Sequence, residues 1–254
     1  MSDEILVVRC GLVPYEEARV AQRWLQGARQ EGEVPDVLLL LEHTPVYTRG
    51  RRSTAEELPM RPEWYEMQGI EVLDTDRGGR VTYHGPGQLV AYPIVSLAPY
   101  DDDVHEYVRR LERVAIEALA AHGVAARTIE GLTGVWTEGA MPGPGAGIDA
   151  ARKIGSIGVH VSRSVTTHGF AVNVDCDLQP FEWIVPCGID NVRMSSVYLE
   201  TRRTGAMPCF RKRVAWRFAE ELGLRQRLVS ARRLLDAADP GRERPTAALA
   251  GAAP

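Results

Sequence analysis

The sequence lacks the features that mark several specialised classes of protein. Its 254 residues include four cysteines, none of them in a Cys-x-x-Cys pair, which argues against a disulfide scaffold and a zinc ribbon. No apolar run approaches the roughly 18 residues of a membrane-spanning helix. The N-terminus has no basic stretch followed by an apolar one, so we expect no signal peptide and a cytoplasmic location with reduced thiols. No spacing typical of metal ligands occurs, and we expect no metal.

Lysine is nearly absent as well. Of the 30 basic residues, set against 34 acidic ones, only Lys153 and Lys212 are lysines. Arginine stays protonated in a protein, whereas a desolvated lysine can lose its proton, so a retained lysine can mark chemistry that arginine cannot perform. Lys153 begins the run KIGSIG, whose small residues let a ligand approach the backbone. From this pattern alone, a catalytic Lys153 and a chance lysine at a strand edge are equally favoured, while Lys212, in an arginine-rich helix, is interpreted as a surface residue.

The amino-acid composition is typical of a globular domain, with 44% apolar and 25% charged residues. Apolar periodicity predicts helices over 15–31, 104–122 and 208–223. Strands are predicted over 5–9, 37–41, 70–73, 89–95, 125–129, 134–136, 154–161 and 168–174. Because strands and helices do not alternate regularly, we predict a mixed-sheet α/β or α+β domain over residues 1–235. Residues 139–150 are predicted to form a flexible loop, and 236–254 a disordered tail.

Two of these strands can be predicted in more detail. Residues 37–41 are continuously apolar, which is typical of a strand buried on both faces. Residues 168–174 alternate, so that His168, Phe170 and Val172 are expected on one face and Gly169 and Ala171 on the other.

The candidate nucleophiles are cysteines, since a thiolate is the strongest side-chain nucleophile near neutral pH. Cys10 ends an apolar strand and is expected to pack, while Cys176 lies between two aspartates that would oppose a thiolate. Cys209 stands at a predicted helix start among basic residues, which would lower its pKa. Cys187 stands in a Pro-Cys-Gly turn that can present a side chain at the rim of a sheet. Local sequence favours Cys187 and Cys209 about equally.

Basic residues are concentrated towards the C-terminus, where residues 193–233 carry a net charge of +8. Such a stretch can bind nucleic acid, a membrane or an acidic protein, or it can simply be a solvated helix face.

Four motifs stand in order along the chain: RGGRVTYHGPGQL at 77–89, KIGSIG at 153–158, HGFAVN at 168–173 and PCGI at 186–189. Together they resemble the motifs of the lipoyl(octanoyl) transferases. The resemblance implies the mixed-sheet fold of biotin and lipoate protein ligases. It also implies transfer of an octanoyl group from acyl carrier protein to a lysine of a lipoyl domain, without ATP or another cofactor. The implied acceptors are lipoyl domains of 2-oxoacid dehydrogenase E2 subunits and the glycine cleavage H protein.

The same resemblance assigns roles to residues. It implies that Cys187 is the nucleophile that carries the acyl group as a thioester, and that Lys153 lowers its pKa and acts as acid and base. His84 is a candidate for orienting a reacting group. The substrate-binding residues implied are Arg77, Gly78, Gly79, Arg80, Val81, Thr82, Tyr83, His84, Ser156, Ile157, Gly158, Gly169, Phe170 and Ala171.

Two other functions are weighed against this one. An ATP-dependent lipoate or biotin protein ligase would share the fold but would need no cysteine, so the Pro-Cys-Gly motif favours the transferase. A non-catalytic nucleic-acid-binding protein could use the basic stretch, but the acidic net charge and the few aromatic residues argue against it. We therefore expect neither a nucleic acid nor a membrane as partner.

Overall fold

The computed structural model describes residues 3–137, 151–186 and 192–237. Three predictions concern residues outside these ranges: the loop 139–150, the nucleophile Cys187, and the tail beyond residue 237. The predicted domain boundary at residue 235 falls inside the last helix described. Within the described ranges, no helix has the length and apolar character needed to cross a bilayer.

The described chain forms strands and helices that are numbered separately in chain order. The strands are β1 (Glu4–Val13), β2 (Asp36–His43), β3 (Val46–Arg49), β4 (Glu71–Asp74), β5 (Thr82–His84), β6 (Gln88–Ile94), β7 (Ala126–Ile129), β8 (Leu132–Thr137), β9 (Lys153–Ser162), β10 (Val165–Asn173) and β11 (Arg225–Val229). The α-helices are α1 (Tyr15–Gln30), α2 (Pro62–Met67), α3 (Val104–Ala120), α4 (Val197–Thr201), α5 (Met207–Glu221) and α6 (Ala231–Ala237).

The strands form one large sheet and one small sheet. The large sheet has the order β11-β1-β2-β6-β10-β9-β8-β7, and the small one has the order β4-β3-β5. The pairs β11-β1 and β1-β2 are parallel. The other pairs of this sheet are antiparallel: β2-β6, β6-β10, β10-β9, β9-β8 and β8-β7. The prediction of a mixed-sheet α/β domain is therefore confirmed.

The large sheet is covered by helices on both faces. On β2, Leu38 and Leu40 belong to the core beneath α3 and α5. Leu39 and Leu41 belong to the core beneath α1 and α6. Both pairs are fully buried, which confirms the prediction that this strand is covered on both faces.

The predicted alternation along β10 is wrong at His168. Its backbone is left-handed, with φ of 58°, so the side chain leaves the face that simple alternation assigns to it. The His168 ring lies 6.1 Å from the Tyr92 ring on the α1 side. Phe170 and Val172 pack on the α3 side as expected.

A third cluster of buried side chains lies between the small sheet and α2. It includes Tyr47, Tyr65 and Phe181. The Tyr47 hydroxyl donates to the carbonyl of Pro180 at 2.6 Å, and the Tyr65 hydroxyl donates to the carbonyl of Trp183 at 3.2 Å. These bonds hold the chain that leads to Pro186 against the small sheet and α2.

Candidate functional site

A cavity of about 650 Å³ opens between residues 77–84, the facing parts of β9 and β10, and the start of α3. This volume falls in the range of cavities that bind a small molecule or cofactor. Lys153 lines it. Of the fourteen predicted substrate-binding residues, all except Val81 and Tyr83 line it as well.

Val81 and Tyr83 point elsewhere because β5 alternates. Thr82 and His84 face the cavity, while the side chains of Val81 and Tyr83 pack into the cluster around Tyr47. This two-residue period follows from strand geometry, and a motif carried over as a block does not reveal it. Any substrate contact of Val81 or Tyr83 would have to come from the backbone.

The glycine-rich segment, defined here as residues 77–88, is held against β9. The Gly78 N–H donates to the carbonyl of Val159 at 2.9 Å. A side chain at Gly158 would place its Cβ 2.7 Å from the Gly78 oxygen, a distance that real Cβ contacts do not reach. Glycine at 158 therefore lets the segment lie close to the strand and form one wall of the cavity.

Arg77 is a buried cation in that wall. Its guanidinium donates from Nη2 to the Thr48 carbonyl at 2.6 Å and to the Thr48 hydroxyl at 2.7 Å. Nε donates to the same hydroxyl at 3.2 Å. Arg77 thereby joins the glycine-rich segment to β3 of the small sheet and places positive charge beside the cavity.

Lys153 is almost fully buried, with 2% of its surface exposed. Its Nζ donates to the Thr133 carbonyl at 3.2 Å and lies 5.4 Å from the centre of the Trp136 ring. The Lys153 N–H donates to the carbonyl of Arg193 at 2.8 Å, and the Lys153 carbonyl accepts from the Ser195 N–H at 2.8 Å. Hydrogen bonds of both its side chain and its backbone thus fix the position of Lys153.

Gly134 lies directly against the amine-bearing end of Lys153. It has φ of 126°, and a Cβ there would lie 2.9 Å from Lys153 Cε and 3.2 Å from Nζ. Only glycine combines that backbone conformation with such a close approach.

A buried carboxylate, Glu112, supports this part of the site and was not singled out from the sequence. It lies on α3 with 1% of its surface exposed. Oε1 accepts from the Gly134 N–H at 3.1 Å, and Oε2 accepts from the Arg109 guanidinium at 2.8 Å. A signal was present in the sequence, because Glu112 lies four residues after Val108 and three before Ala115, spacings that place all three on the same side of a helix.

His84 is the first member of a buried chain of hydrogen bonds. Its Nδ1 lies 2.6 Å from Gln88 Oε1, and Gln88 Nε2 donates to Asn173 Oδ1 at 2.8 Å. Asn173 Nδ2 donates to the carbonyl of Ser195 at 2.9 Å. Because Gln88 presents its oxygen, His84 must donate from Nδ1, which leaves Nε2 as an acceptor. Burial holds the pKa of His84 well below its usual value, so the ring is uncharged.

Two further histidines adjoin His84. His43 is fully buried; its Nδ1 donates to the Val13 carbonyl at 2.8 Å, and its Nε2 accepts from the Tyr92 hydroxyl at 2.7 Å. Burial lowers the pKa of His43 to about 4. His168 lines the cavity, and its Nε2 donates to Asp76 at 2.9 Å. Burial also lowers the pKa of His168, so the three imidazole rings add polarity without charge.

The cysteines within the described ranges do not compete for the role of nucleophile. Burial raises the pKa of both Cys10 and Cys176 to about 12, which keeps each of them a thiol. Cys209 is exposed and does not line the cavity. Cys187 lies outside the described residues. In the same ranges, no group of three or more His, Cys, Asp and Glu side chains is placed to hold a metal ion.

Chemically, this arrangement suits an acyl group whose carbonyl is attacked. Apolar residues such as Val90, Ile157 and Phe170 line the cavity and can hold a hydrocarbon chain. A buried amine at Lys153 can exchange a proton with a reacting group.

Comparison with known proteins shows which family this chain resembles in sequence. The family model described as "Lipoyl protein ligase A/B catalytic domain" matches residues 14–219, a range inside the predicted domain 1–235. An octanoyltransferase of Mycobacterium leprae is 46% identical over 209 residues, which are 82% of this chain and 84% of that protein. An octanoyltransferase of Chloroflexus aggregans is 44% identical over 204 residues, or 80% of this chain and 88% of that protein.

Among solved structures, a bi-partite lipoate protein ligase from Thermoplasma acidophilum superposes with a TM-score of 0.64. The match covers 90% of this chain and 88% of that one, at 17% sequence identity. At this identity the likeness concerns the fold alone, and it confirms the fold that the four motifs imply.

Proposed function

Because this chain belongs to the octanoyltransferases of the lipoyl protein ligase A/B family, we propose that it transfers the octanoyl group through a thioester on Cys187, with Lys153 as acid and base. The enzyme is an acyltransferase that acts in protein lipoylation. The observation that carries the proposed mechanism is the buried Lys153 amine in the wall of the cavity. A buried lysine can change its protonation state during a reaction, whereas arginine cannot.

In the first step, the Cys187 thiolate attacks the carbonyl carbon of an octanoyl thioester. The bond between that carbon and the donor sulfur breaks, and the Lys153 ammonium gives its proton to the leaving thiolate. Cys187 now carries the octanoyl group, and Lys153 is neutral.

In the second step, the amine of the acceptor lysine attacks the carbonyl carbon of the acyl-enzyme. Neutral Lys153 takes the proton that the nitrogen loses, and the bond to the Cys187 sulfur breaks. An amide is formed, and the thiolate and ammonium return to their starting states. Both steps balance without ATP or another cofactor.

The described chain supports this pairing of residues. The sequence places Cys187 six residues before Arg193, whose carbonyl accepts the Lys153 N–H. The segment before Cys187 is also fixed, since the Val185 N–H donates to the carbonyl of Glu57 at 3.0 Å. Because Cys10 and Cys176 are held as thiols and Cys209 does not line the cavity, Cys187 is the cysteine we assign.

We assign acyl carrier protein as donor. The proposed acceptors are lipoyl domains, including those of 2-oxoacid dehydrogenase E2 subunits and the glycine cleavage H protein. The structural relative from Thermoplasma acidophilum is described together with its E2 lipoyl domain, which supports this class of acceptor. The proposed location is the cytoplasm. An ATP-dependent ligase would share the fold, but the sequence relatives at 44–46% identity are octanoyltransferases.

Mass spectrometry of the intact protein after mixing with octanoyl-acyl carrier protein tests the intermediate. We expect one octanoyl adduct, which maps to Cys187 and is released by hydroxylamine as a thioester. Cys187→Ser should abolish this thioester, while the matched change Cys209→Ser should leave it intact. An adduct that survives Cys187→Ser and disappears in Cys209→Ser would reverse the assignment.

A further inference from the structure

The charged side chains that line the cavity are basic. Among the described residues that line it, none is Asp or Glu and five are basic: Arg52, Arg77, Arg80, Arg109 and Lys153. An octanoyl chain is uncharged and gains nothing from this positive potential. The cavity volume of about 650 Å³ also lies in the range that holds drug-sized ligands, which contain more atoms than an eight-carbon chain. Both observations indicate that part of the cavity receives something larger and anionic.

Two of these arginines are already balanced by buried carboxylates. Arg80 pairs with Glu57 at 2.5 Å, and Arg109 pairs with Glu112 at 2.8 Å. Arg52 differs from Arg80 and Arg109. Among the residues that the structure describes, no carboxylate lies within 4.0 Å of the Arg52 guanidinium. Its side chain is exposed at the cavity mouth.

The backbone holds Arg52 at this mouth. Its N–H donates to the carbonyl of Gly79 at 3.0 Å, and the Ser53 N–H closes a turn onto the carbonyl of Gly50 at 2.9 Å. A Cβ at Gly50 would lie 2.6 Å from the Gly79 oxygen, so the turn can approach the glycine-rich segment only with glycine there. The neighbouring Arg51 is equally exposed but does not line the cavity.

We propose that Arg52 binds the phosphodiester of the phosphopantetheine arm on which the donor carries its octanoyl group. This inference rests on the proposed function, in which the donor is an acyl carrier protein. The acyl chain occupies the apolar part of the cavity, and the arm leaves through the mouth past Arg52. A guanidinium matches the geometry of a phosphate oxygen pair and forms charge-assisted hydrogen bonds with it.

Steady-state kinetics with two small donors tests the site. The donors are octanoyl-phosphopantetheine and octanoyl-pantetheine, which differ only in the phosphate, and a purified lipoyl domain serves as acceptor. We expect Arg52→Ala to raise KM for the phosphorylated donor by about tenfold and to leave KM for the other donor unchanged. Arg52→Lys should recover part of the loss, because it keeps the charge. Arg51→Ala is the matched control and should change neither value.

The possible results distinguish a failure of the proposed Arg52 site from a failure of the proposed function. An equal rise in KM for both donors would overturn the phosphate site while leaving octanoyl transfer intact. No change with either small donor, combined with a rise for octanoyl-acyl carrier protein, would show that Arg52 contacts the carrier protein instead, and would also overturn it. If the wild-type enzyme used none of these thioesters, the proposed function and the site would both fall.

Discussion

Lys153 and Lys212 provide an internal comparison at the scale of single residues. Lys153 is buried in the cavity wall, whereas Lys212 is exposed on α5. We expect Lys153→Arg to keep the positive charge that stabilises the Cys187 thiolate in the proposed mechanism. This variant should still form the acyl-enzyme, with the leaving thiolate taking its proton from water. It should slow amide formation by about 100-fold or more, because arginine cannot take the proton from the incoming amine.

Single-turnover assays that follow the thioester and the amide separately measure this effect. Lys212→Arg is the matched control and should behave like the wild type in both steps. Near-normal amide formation by Lys153→Arg would remove the role of Lys153 as a base.

At this scale, sequence reasoning reached some site residues and missed others for physical reasons. The scarcity of lysine indicated Lys153, although only on equal terms with a structural role. Glu112 and Arg52 were missed, because their roles depend on neighbours far apart in the chain: Gly134 for Glu112, and Gly79 for Arg52. Cys187 was separated from Cys209 by the family resemblance, and its place in the site stays a prediction.

At the scale of elements, long apolar patterns predicted structure well, while some short strands were predicted, such as β4, and others, such as β5, were not. The predicted helix over 15–31 corresponds to α1 at Tyr15–Gln30, and the strand predicted over 37–41 corresponds to β2. Strand β5 has only three residues inside a glycine-rich stretch. It exists because Tyr83 and its neighbours pair with β3, and no local pattern of so few residues can predict such a partner.

Glu112 joins two elements, since it holds the start of β8 against α3. We expect Glu112→Gln to lower kcat by about tenfold with a smaller effect on KM. The reason is that the Gly134 turn positions the carbonyl that accepts from Lys153 Nζ. The neutral amide of glutamine accepts the Gly134 hydrogen bond more weakly than the carboxylate does, so the loss should fall on kcat.

The matched control is Glu117→Gln on the same helix, where Glu117 pairs with Arg217 at the surface. That variant should retain the wild-type kcat and KM. If Glu112→Gln changed only thermal stability and left kcat at the wild-type value, Glu112 would be a structural residue without influence on Lys153.

At the scale of the whole molecule, three buried histidines make stability depend on pH. Burial lowers the pKa of His43 to about 4, and it lowers those of His84 and His168 as well. In the unfolded chain, histidine titrates near pH 6.5. Between pH 6.5 and 4 the unfolded chain therefore binds protons that the folded protein does not, and the free energy of unfolding falls as pH drops.

Urea unfolding at pH 7 and pH 5 measures this dependence. The wild type should be less stable at pH 5, with each buried histidine contributing up to about 1.4 kcal/mol per pH unit. His43→Gln should show a weaker dependence, while the exposed control His105→Gln should keep all of it. Equal stability of the wild type at the two pH values would contradict the expectation that these rings stay neutral.

The pairing of β1 with β11 has a consequence for how the protein is made. Residues 4–8 pair with residues 225–229, so β1 receives its outer neighbour only after about 220 further residues have been synthesised. Until then its open edge can pair with another nascent chain. The order of strands in the sheet therefore sets how long this edge stays unpaired during synthesis.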